Sequence, residues 1–490
     1  MAIKLIYRDI ALGAEGAAVS SSAAESFSDI TKVPYGVTPP PTATCEPNGW
    51  GLIPEYKVRS GQPFAFWSVD RSGADCSFSS PPTITLDFSQ QFTSTGLTIT
   101  FSPDAMDYCT QIRILWYQDG VVKHDEVFYP TAPQFVAQRT VEAFDKLVFE
   151  FVKTSLPGKR VKVEDIVIGV IRHFEGDELK SASFVHEIDL ISDTVPINVL
   201  DASFHSLNDV DFVFQRKQPV TGYNDDKLIG VYYISEGRRT GATDYEIKCN
   251  DALGILDLED YDGGLWLADT PLVDILQEVF GGAFPFEIDA AFEGSTLRGY
   301  IEPGKKREAL KHIAFALGAV VDTSGSSAIK LYPAPVGTGS TIPAAQTYTG
   351  GAVTVSDKVT EVTVTAYVIF DERPGENDTY IEHNGVQYRY YTDTKHAYNP
   401  DTVASDPANK IRFDKSYLVN LSNAQMLADK IMQHYMRREK YAFKHVLSGQ
   451  MPSDRALVTL PWDGEAEGNI TKMTISVTGI AVSETEMLLD

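Results

Sequence analysis

The sequence predicts a mainly β protein with α+β elements, built as several domains. Three observations carry this. At 490 residues the chain is too long for one ordinary hydrophobic core. Short runs alternate apolar and polar residues over most of its length, the period of a sheet with one wet face. Apolar residues recur at helical spacing in only a few places, each bounded by a helix start or stop signal.

The first sixty residues form an expected N-terminal arm (1–60). "AAVSSSAAESFSDITKVPYGVTPPPTATCEPNGWGL" is rich in Ser, Ala and Pro, with isolated anchors such as Trp50. Such a stretch buries too little apolar surface to fold alone and is expected to lie along another surface. Residues 61–171 read as a β-sandwich. "GLTITF" sets Leu97, Ile99 and Phe101 against Thr98 and Thr100; "QIRILWY" aligns Ile112, Ile114 and Trp116; "DKLVFEFV" aligns Leu147, Phe149 and Phe151.

Residues 172–263 form a second β-rich region. In "GVYYISEGRRTGATDYEIKCNDALGILD", Tyr245, Ile247 and Cys249 share one strand face, with Glu246, Lys248 and Asn250 on the other. Residues 264–335 form a small α+β module. Thr270 as cap and Pro271 as first helical residue open a helix carrying Leu272, Ile275, Leu276 and Val279, which Gly281 ends. A second helix carries Leu310, Ile313, Ala314 and Leu317, stops at Gly318, and feeds a hairpin turning at Ser324 to Ser326. "APVGTGSTIPAAQ" reads as a linker. Residues 336–490 alternate again, with Val362, Val364, Ala366 and Val368 against Glu361, Thr363, Thr365 and Tyr367. One helix carries Ala424, Leu427, Ala428, Ile431 and Tyr435, and the closing strands flank a turn at Asp463 and Gly464.

Net charge is −25 and the pI near 4.7, which argues against a surface built to grip phosphates. The densest basic stretch, Arg437 to Lys440, falls at the end of a helix, where it complements the dipole. Cys45, Cys76, Cys109 and Cys249 form no CxxC pair and read as free packing thiols, with a Cys76–Cys109 bridge as the alternative. No apolar run is long enough to span a bilayer, and the start lacks the order of a signal peptide, so folding in a cytoplasm is expected.

Catalytic signatures are missing: no GxxxxGK[ST], HExxH or GxSxG, and no Cys/His set with zinc spacing. "VGTGST" (Val336 to Thr341) has no following helix to aim amides at a phosphate. Two acidic loops, Glu259/Asp260/Asp262 before Gly263 and Asp371/Glu372/Glu376/Asp378, lack the spacing of a calcium loop and read as solvated turns. The histidines, headed by His124, His173 and His186, stand beside no nucleophile. In the sandwich, Trp67, Trp116, Tyr108 and Tyr117 raise the question of sugar stacking; Trp116 shares its face with Ile112 and Ile114 and reads as core, leaving Tyr117 as the surface candidate. No catalytic, cofactor-binding or metal residue is assigned.

The order of modules carries a resemblance. "SASFVHEIDLISDTVPINVLDASF" followed by "LIGVYYISEGRRTGATDYEIKCNDALGILD" resembles the first β-barrel of the phage tail (baseplate) hub family, which includes the N-terminal parts of tail-associated lysins. "REALKHIAFALGAVVDTSGSSAIKLYP" is similar to that family's helix and hairpin. "NAQMLADKIMQHYMRREKYAFKHVLSGQ", with "GNITKMTISVTG", resembles its second barrel and helix. The likeness covers roughly Ser181 to Glu486 as pattern, without a diagnostic motif. The sandwich departs from the minimal hub and is similar in texture to carbohydrate-binding modules.

The resemblance implies two tube-like β-barrels, at 172–263 and 336–490. It further implies a homotrimer presenting six-fold pseudo-symmetry to a tail tube, and partners among tail tube or distal tail, tape-measure and tip or baseplate proteins. The implied location is a virion assembled in a bacterial cytoplasm, with DNA only in transit through the lumen. Lysin-bearing members carry their enzyme beyond the second barrel, so no lytic activity and no cofactor are expected here. The competing reading is an adhesin whose sandwich recognises a cell-surface glycan; a hydrolase with a hidden carboxylate pair is a third. If the chain lines a DNA conduit, an electronegative lumen is expected, with Glu246 and Glu361 as candidates on the polar faces of their strands.

Overall fold

The computed structural model describes residues 3–22, 42–43, 58–59, 66–101, 108–206, 212, 214–414, 416–447, 449–452, 454–460, 462, 464–477 and 481–490. Cys45, Trp50, Gly61 and Asp463 lie outside the described residues. The protein is mainly β and multidomain, with several sheets and five α-helices among the described residues. Its contacts divide it into two compact units.

One unit holds residues 6–173 together with 212 and 214–218. Its seven-stranded sheet runs in the order Phe66–Trp67, Lys162–Val167, Thr83–Phe101, Gln134–Thr154, Cys109–Gln118, Val121–Phe128, and Ala18–Ser21 pairs with Thr83–Phe101. The 19-residue and 21-residue strands at its centre shift register between Asp87 and Phe92, Phe92 and Ser94, and Ser94 and Gly96. Such irregularities bend a strand, and both ends of each strand reach one core. That core is aromatic: Phe66, Phe88, Phe92, Phe101, Phe144, Phe149, Phe151 and Trp116 are all buried. Phe88 meets Phe144 edge-on at 5.7 Å, the arrangement that ring quadrupoles favour.

A polar node sits inside this unit. Asp9 is 1% exposed; it accepts from Thr95 Oγ1 at 3.0 Å, Gln218 Nε2 at 3.0 Å and the Tyr7 hydroxyl at 3.2 Å, and faces Arg172 at 3.5 Å. A carboxylate this buried persists only when its charge and lone pairs are matched. The node ties Gln218 to strands that precede it by more than a hundred residues.

The other unit holds residues 3–5, 174–206 and 219–490. Its largest sheet runs antiparallel from Pro219–Asn224 through Lys227–Arg239, Asp244–Asn250, Val199–His205, Leu179–Glu187, Glu465–Val477, Ala481–Leu489 and Glu439–Val446 to Ala352–Val355. Ser340–Ile342, inside the segment read as a linker, adds a parallel strand against Arg455–Thr459. Alternation is as the sequence dictates: Ala182, Phe184 and His186, then Leu200, Ala202 and Phe204, then Tyr245, Ile247 and Cys249 are buried. Gly222 is fixed by packing, since a Cβ there would stand 2.5 Å from the Phe184 ring.

The helices Leu272–Phe280, Lys306–Leu317 and Ala424–Met436 share one core, which includes Leu276, Ile313 and Leu427. Gly281 and Gly318 end the first two in the left-handed conformation, at φ 59° and 63°. The start of the first helix differs from expectation. Thr270 and Pro271 belong to the strand Gly264–Pro271, paired with Leu297 and Thr296, and no side chain caps the helix. The Ser295 carbonyl takes the Leu272 amide at 2.9 Å instead, a tertiary substitute for a local cap. The strand Glu361–Ile369 belongs to a separate four-stranded sheet with Tyr380–His383, Val386–Tyr398 and Lys410–Phe413. Its Val362, Val364 and Ala366 pack into the helical core.

Candidate charged sheet face

The polar side of the large sheet is the surface that its strands jointly expose. Pairing carries two ladders across it. In one, Ser476 faces Ser183, Ser183 faces Asp201, Asp201 faces Lys248, and Lys248 faces Glu236. In the other, Ser181 faces Ser203, Ser203 faces Glu246, and Glu246 faces Arg238. Since residues opposed across a ladder point to the same face, these side chains line one shallow trough of about 410 Å³.

The charges are mutually engaged. Arg238 donates to Glu246 through Nε at 2.8 Å and through Nη2 at 2.5 Å. Lys248 stands 3.5 Å from Glu236, and Ser181 and Ser203 share a 2.6 Å hydrogen bond. Hydrogen bonding to Glu246 holds the Arg238 guanidinium above its ordinary pKa. Lys180 and His205, bonded to Asp244 beside the trough, hold that carboxyl below the usual range. Three carboxylates stand against two cations in the trough, so the surface is a nearly balanced mosaic rather than an acidic lining. A polyphosphate laid along it meets alternating attraction and repulsion with no net grip.

The two acidic candidates therefore separate. Glu246 is on the open face and is charge-paired. Glu361 is 8% exposed, bound to His396 Nδ1 at 2.7 Å and Lys410 at 2.6 Å, and lies in the four-stranded sheet. Those two partners, Lys410 first, hold its carboxyl below the usual range. Alternation placed it on the polar side, but its carboxylate is covered by the exposed His396 and Lys410 side chains that clamp it rather than left bare.

Elsewhere the expected candidates scatter. Glu259 and Asp260 are engaged by Lys306 at 3.1 Å and Lys305 at 2.6 Å, and Glu372 by Arg389 at 2.6 Å. Among the described residues no three His, Cys, Asp or Glu side chains converge as a metal site. Cys76, Cys109 and Cys249 are free thiols, and burial pushes the Cys249 thiol up. Trp116 and Trp67 are buried, at 1% and 8% exposure. Tyr117 is half-buried with Lys146 Nζ 5.9 Å from its ring centre. Neither tryptophan offers a sugar an open face.

Arg437 does more than complement a dipole. It donates to the Leu488 and Leu489 carbonyls at 2.6 and 3.2 Å and to Asn469 at 2.7 Å, fastening two strands of the large sheet. Burial holds its pKa below the ordinary value.

A buried polar cluster behind the sheet is barely legible in the residue pattern. His186, fully buried, shares a hydrogen bond with the Tyr232 hydroxyl, and burial pulls its pKa down to about 4. Asp251 accepts from the Asn198 and Gly254 amides, both at 3.1 Å, and from Thr323 at 2.6 Å. Burial pushes its carboxyl up to about 6. The only signal for Asp251 was its place as the cap of the short helix Ala252–Leu256. The cluster is buried from solvent, and His186 Nδ1 has no hydrogen-bond partner within it.

No family model matches the chain, and no curated protein matches it. Several solved structures do. A tail protein from Neisseria meningitidis is 12% identical and matches 64% of this chain and 93% of its own, with a TM-score of 0.46. A prophage tail protein from Listeria monocytogenes is 10% identical, at 64% and 90% coverage and a TM-score of 0.43. A virion of a gene transfer agent contains a chain matching 96% of this one at 12% identity, with a TM-score of 0.33. Scores this low do not establish a shared fold.

Proposed function

We propose that this chain is a structural component of a phage tail or tail-derived particle, acting as the hub that joins the tail tube to the tip or baseplate. The observation that carries the reading is the pairing of Leu179–Glu187 with Glu465–Val477, from Ala182 opposite Val477 to Glu187 opposite Lys472. Segments nearly three hundred residues apart, the two that resemble hub barrels, thereby stand side by side in one sheet. Such a chain presents two similar β-surfaces in tandem, and three copies closing by symmetry would present six. The balanced charge mosaic suits a wall past which DNA moves without being held. A non-enzymatic role follows from the same reading, as do neighbours in the tube, tape measure and tip.

Light scattering of the purified chain should give about three times 54.0 kDa, and electron images should show a three-fold ring with a central hole. A mass of one chain at micromolar concentration, with no ring in the images, overturns the hub reading.

A further inference from the structure

We propose that the open edge of the strand Lys410–Phe413, with the cavity beside it, receives an extended segment of another protein by strand addition, and that a tyrosine of that segment fills the cavity. The inference goes beyond the hub reading and does not depend on it. Lys410–Phe413 ends the four-stranded sheet, pairing in parallel with Glu361–Ile369 on one side and with no described strand on the other. The phase of that pairing is fixed, because the Thr360 and Glu361 amides both donate to the Asn409 carbonyl, at 2.8 and 3.4 Å. Alternate residues of a strand turn their peptide groups to opposite edges, so Ile411 and Phe413 bond inward as Asn409 does. The amide and carbonyl of Arg412 therefore face the open side, where no described residue bonds them.

A cavity of about 340 Å³ lies along this edge, lined by Ile411, Arg412, Phe413 and Asp414 in succession. Side chains alternate between the two faces of a strand, so four consecutive residues meet one cavity only from the strand's edge. The opposite wall belongs to the helices Lys306–Leu317 and Ala424–Met436, through His312, Phe315 and Tyr435. The edge is thus open over a groove with depth, and a strand laid along it would have somewhere to put a side chain.

The lining says which side chain. Phe315 and Phe413 stack at 5.6 Å and make an apolar floor. Against it stands a polar group without a partner: Ser416 is 4% exposed, lines the cavity, and its Oγ makes no hydrogen bond. A buried hydroxyl left in this state costs stability until something satisfies it. The His312 ring also lacks a hydrogen bond, and burial pulls its pKa down to about 4, so at pH 7 it offers one donor and one acceptor. An aromatic ring with a hydroxyl tip answers both walls, the ring on the phenylalanines and the hydroxyl on Ser416 or His312. The charged residues of the lining, Lys311 and Arg412 against Asp193 and Asp414, balance and select neither sign. Main-chain bonds from the edge then supply affinity, and the cavity supplies specificity.

The test is saturation-transfer NMR of the full chain with the blocked peptide acetyl-Thr-Tyr-Thr-amide, its phenylalanine and alanine counterparts, and para-cresol. The tyrosine peptide should bind with a Kd of about 1 mM. The phenylalanine peptide should bind about tenfold more weakly, because a site with unpaired polar groups rejects a ligand lacking the hydroxyl. The alanine peptide and para-cresol, each supplying half of the recognition, should show no binding below about 10 mM. Arg412→Pro removes an amide from the open edge and no bond to Glu361–Ile369, so it should keep the fold and weaken the tyrosine peptide about tenfold. Ser416→Ala should shrink the preference for tyrosine over phenylalanine to about threefold or less. Near-ultraviolet circular dichroism reports whether each variant is folded, and the wild-type series decides without them. A tyrosine peptide that does not bind at about 10 mM overturns the proposal, and so does a phenylalanine peptide that binds equally well. Para-cresol binding as tightly as the peptide makes the cavity a small-molecule site and rejects the edge. A folded Arg412→Pro chain that binds like the wild type rejects the edge too, and a folded Ser416→Ala chain with the full preference rejects the assignment of the cavity.

Discussion

The two compact units solve the burial of polar groups in opposite ways. In the unit built on the large sheet, the groups that burial pushes toward their neutral form between about pH 4 and 7 are mainly histidines, with Asp251 against them. His186, His312 and His434 are all drawn down to about 4 by burial, and His445 is lowered for the same reason. In the unit built on the seven-stranded sheet they are acids. Burial pushes Asp165 up to about 6, with Glu15 adding repulsion, and Glu15 is itself raised by burial. Burial favours the neutral form of either kind, so one unit is poised to lose stability in acid and the other to gain it. A chain with a uniformly acidic composition need not respond to pH uniformly.

That contrast should be visible from pH 7 to pH 5. A histidine whose folded pKa lies below its unfolded value stabilises fully above about 6.5, and this is lost as pH falls toward 4. For His186 alone the loss by pH 5 is about 2 kcal/mol, and His312 and His434 add to it. Asp251 works the other way, because its raised pKa weakens the fold as pH climbs from 3.8 toward 6; it offsets part of the histidine loss. Asp165 has the same sign in the other unit, without histidines there to oppose it at comparable burial. Calorimetry should therefore resolve two transitions that move apart on acidification, the large-sheet unit melting earlier. Two transitions falling in parallel would break the comparison.

A core substitution sharpens it from the other side. Phe149 is fully buried among the rings of the aromatic core, and Phe149→Ala should cost about 3–5 kcal/mol. The cost should appear in the transition of the seven-stranded unit and leave the other in place. If both transitions drop together, the units are one cooperative body.

Asp251→Ala is the matching change in the large-sheet unit. It strips three donors of their acceptor while relieving a buried charge, for a net loss of about 2–3 kcal/mol. The melting point of that unit should fall most at pH 5, where the carboxyl it replaces costs least. A loss that grows instead toward pH 8 would mean that the charge is stabilising.

The smallest effect is expected at the sheet face. Glu246→Gln removes half of an exposed ion pair with Arg238, and such pairs are nearly neutral in water. Neither transition should move measurably, and a clear loss would show that the ladder is structural.

Much of this architecture was legible in the residues themselves. Alternation alone placed Leu97, Ile99, Ile112, Ile114, Phe149 and Ile247 on buried faces, because a strand has only two faces and one is dry. Helical spacing and a terminal glycine located Lys306–Leu317 closely, and spacing alone located Ala424–Met436. Even Trp116 could be assigned to the core from the two isoleucines that share its side.

What the sequence by itself determined was therefore local: strand faces and helix stops, set by spacings of a few residues. Tertiary structure decided the rest. Thr270 sits in a strand because Ser295, twenty-five residues on, supplies the cap that it would have given. Glu361 is covered because His396 and Lys410, from the two strands beside its own, close over its carboxylate, which no period within that strand can announce. Asp9 is tolerable in a core only because Thr95, Arg172 and Gln218 arrive from distant parts of the chain. Short-range patterns report which side of an element is apolar, while partners brought together by folding decide whether its polar side meets water, another sheet or an opposite charge.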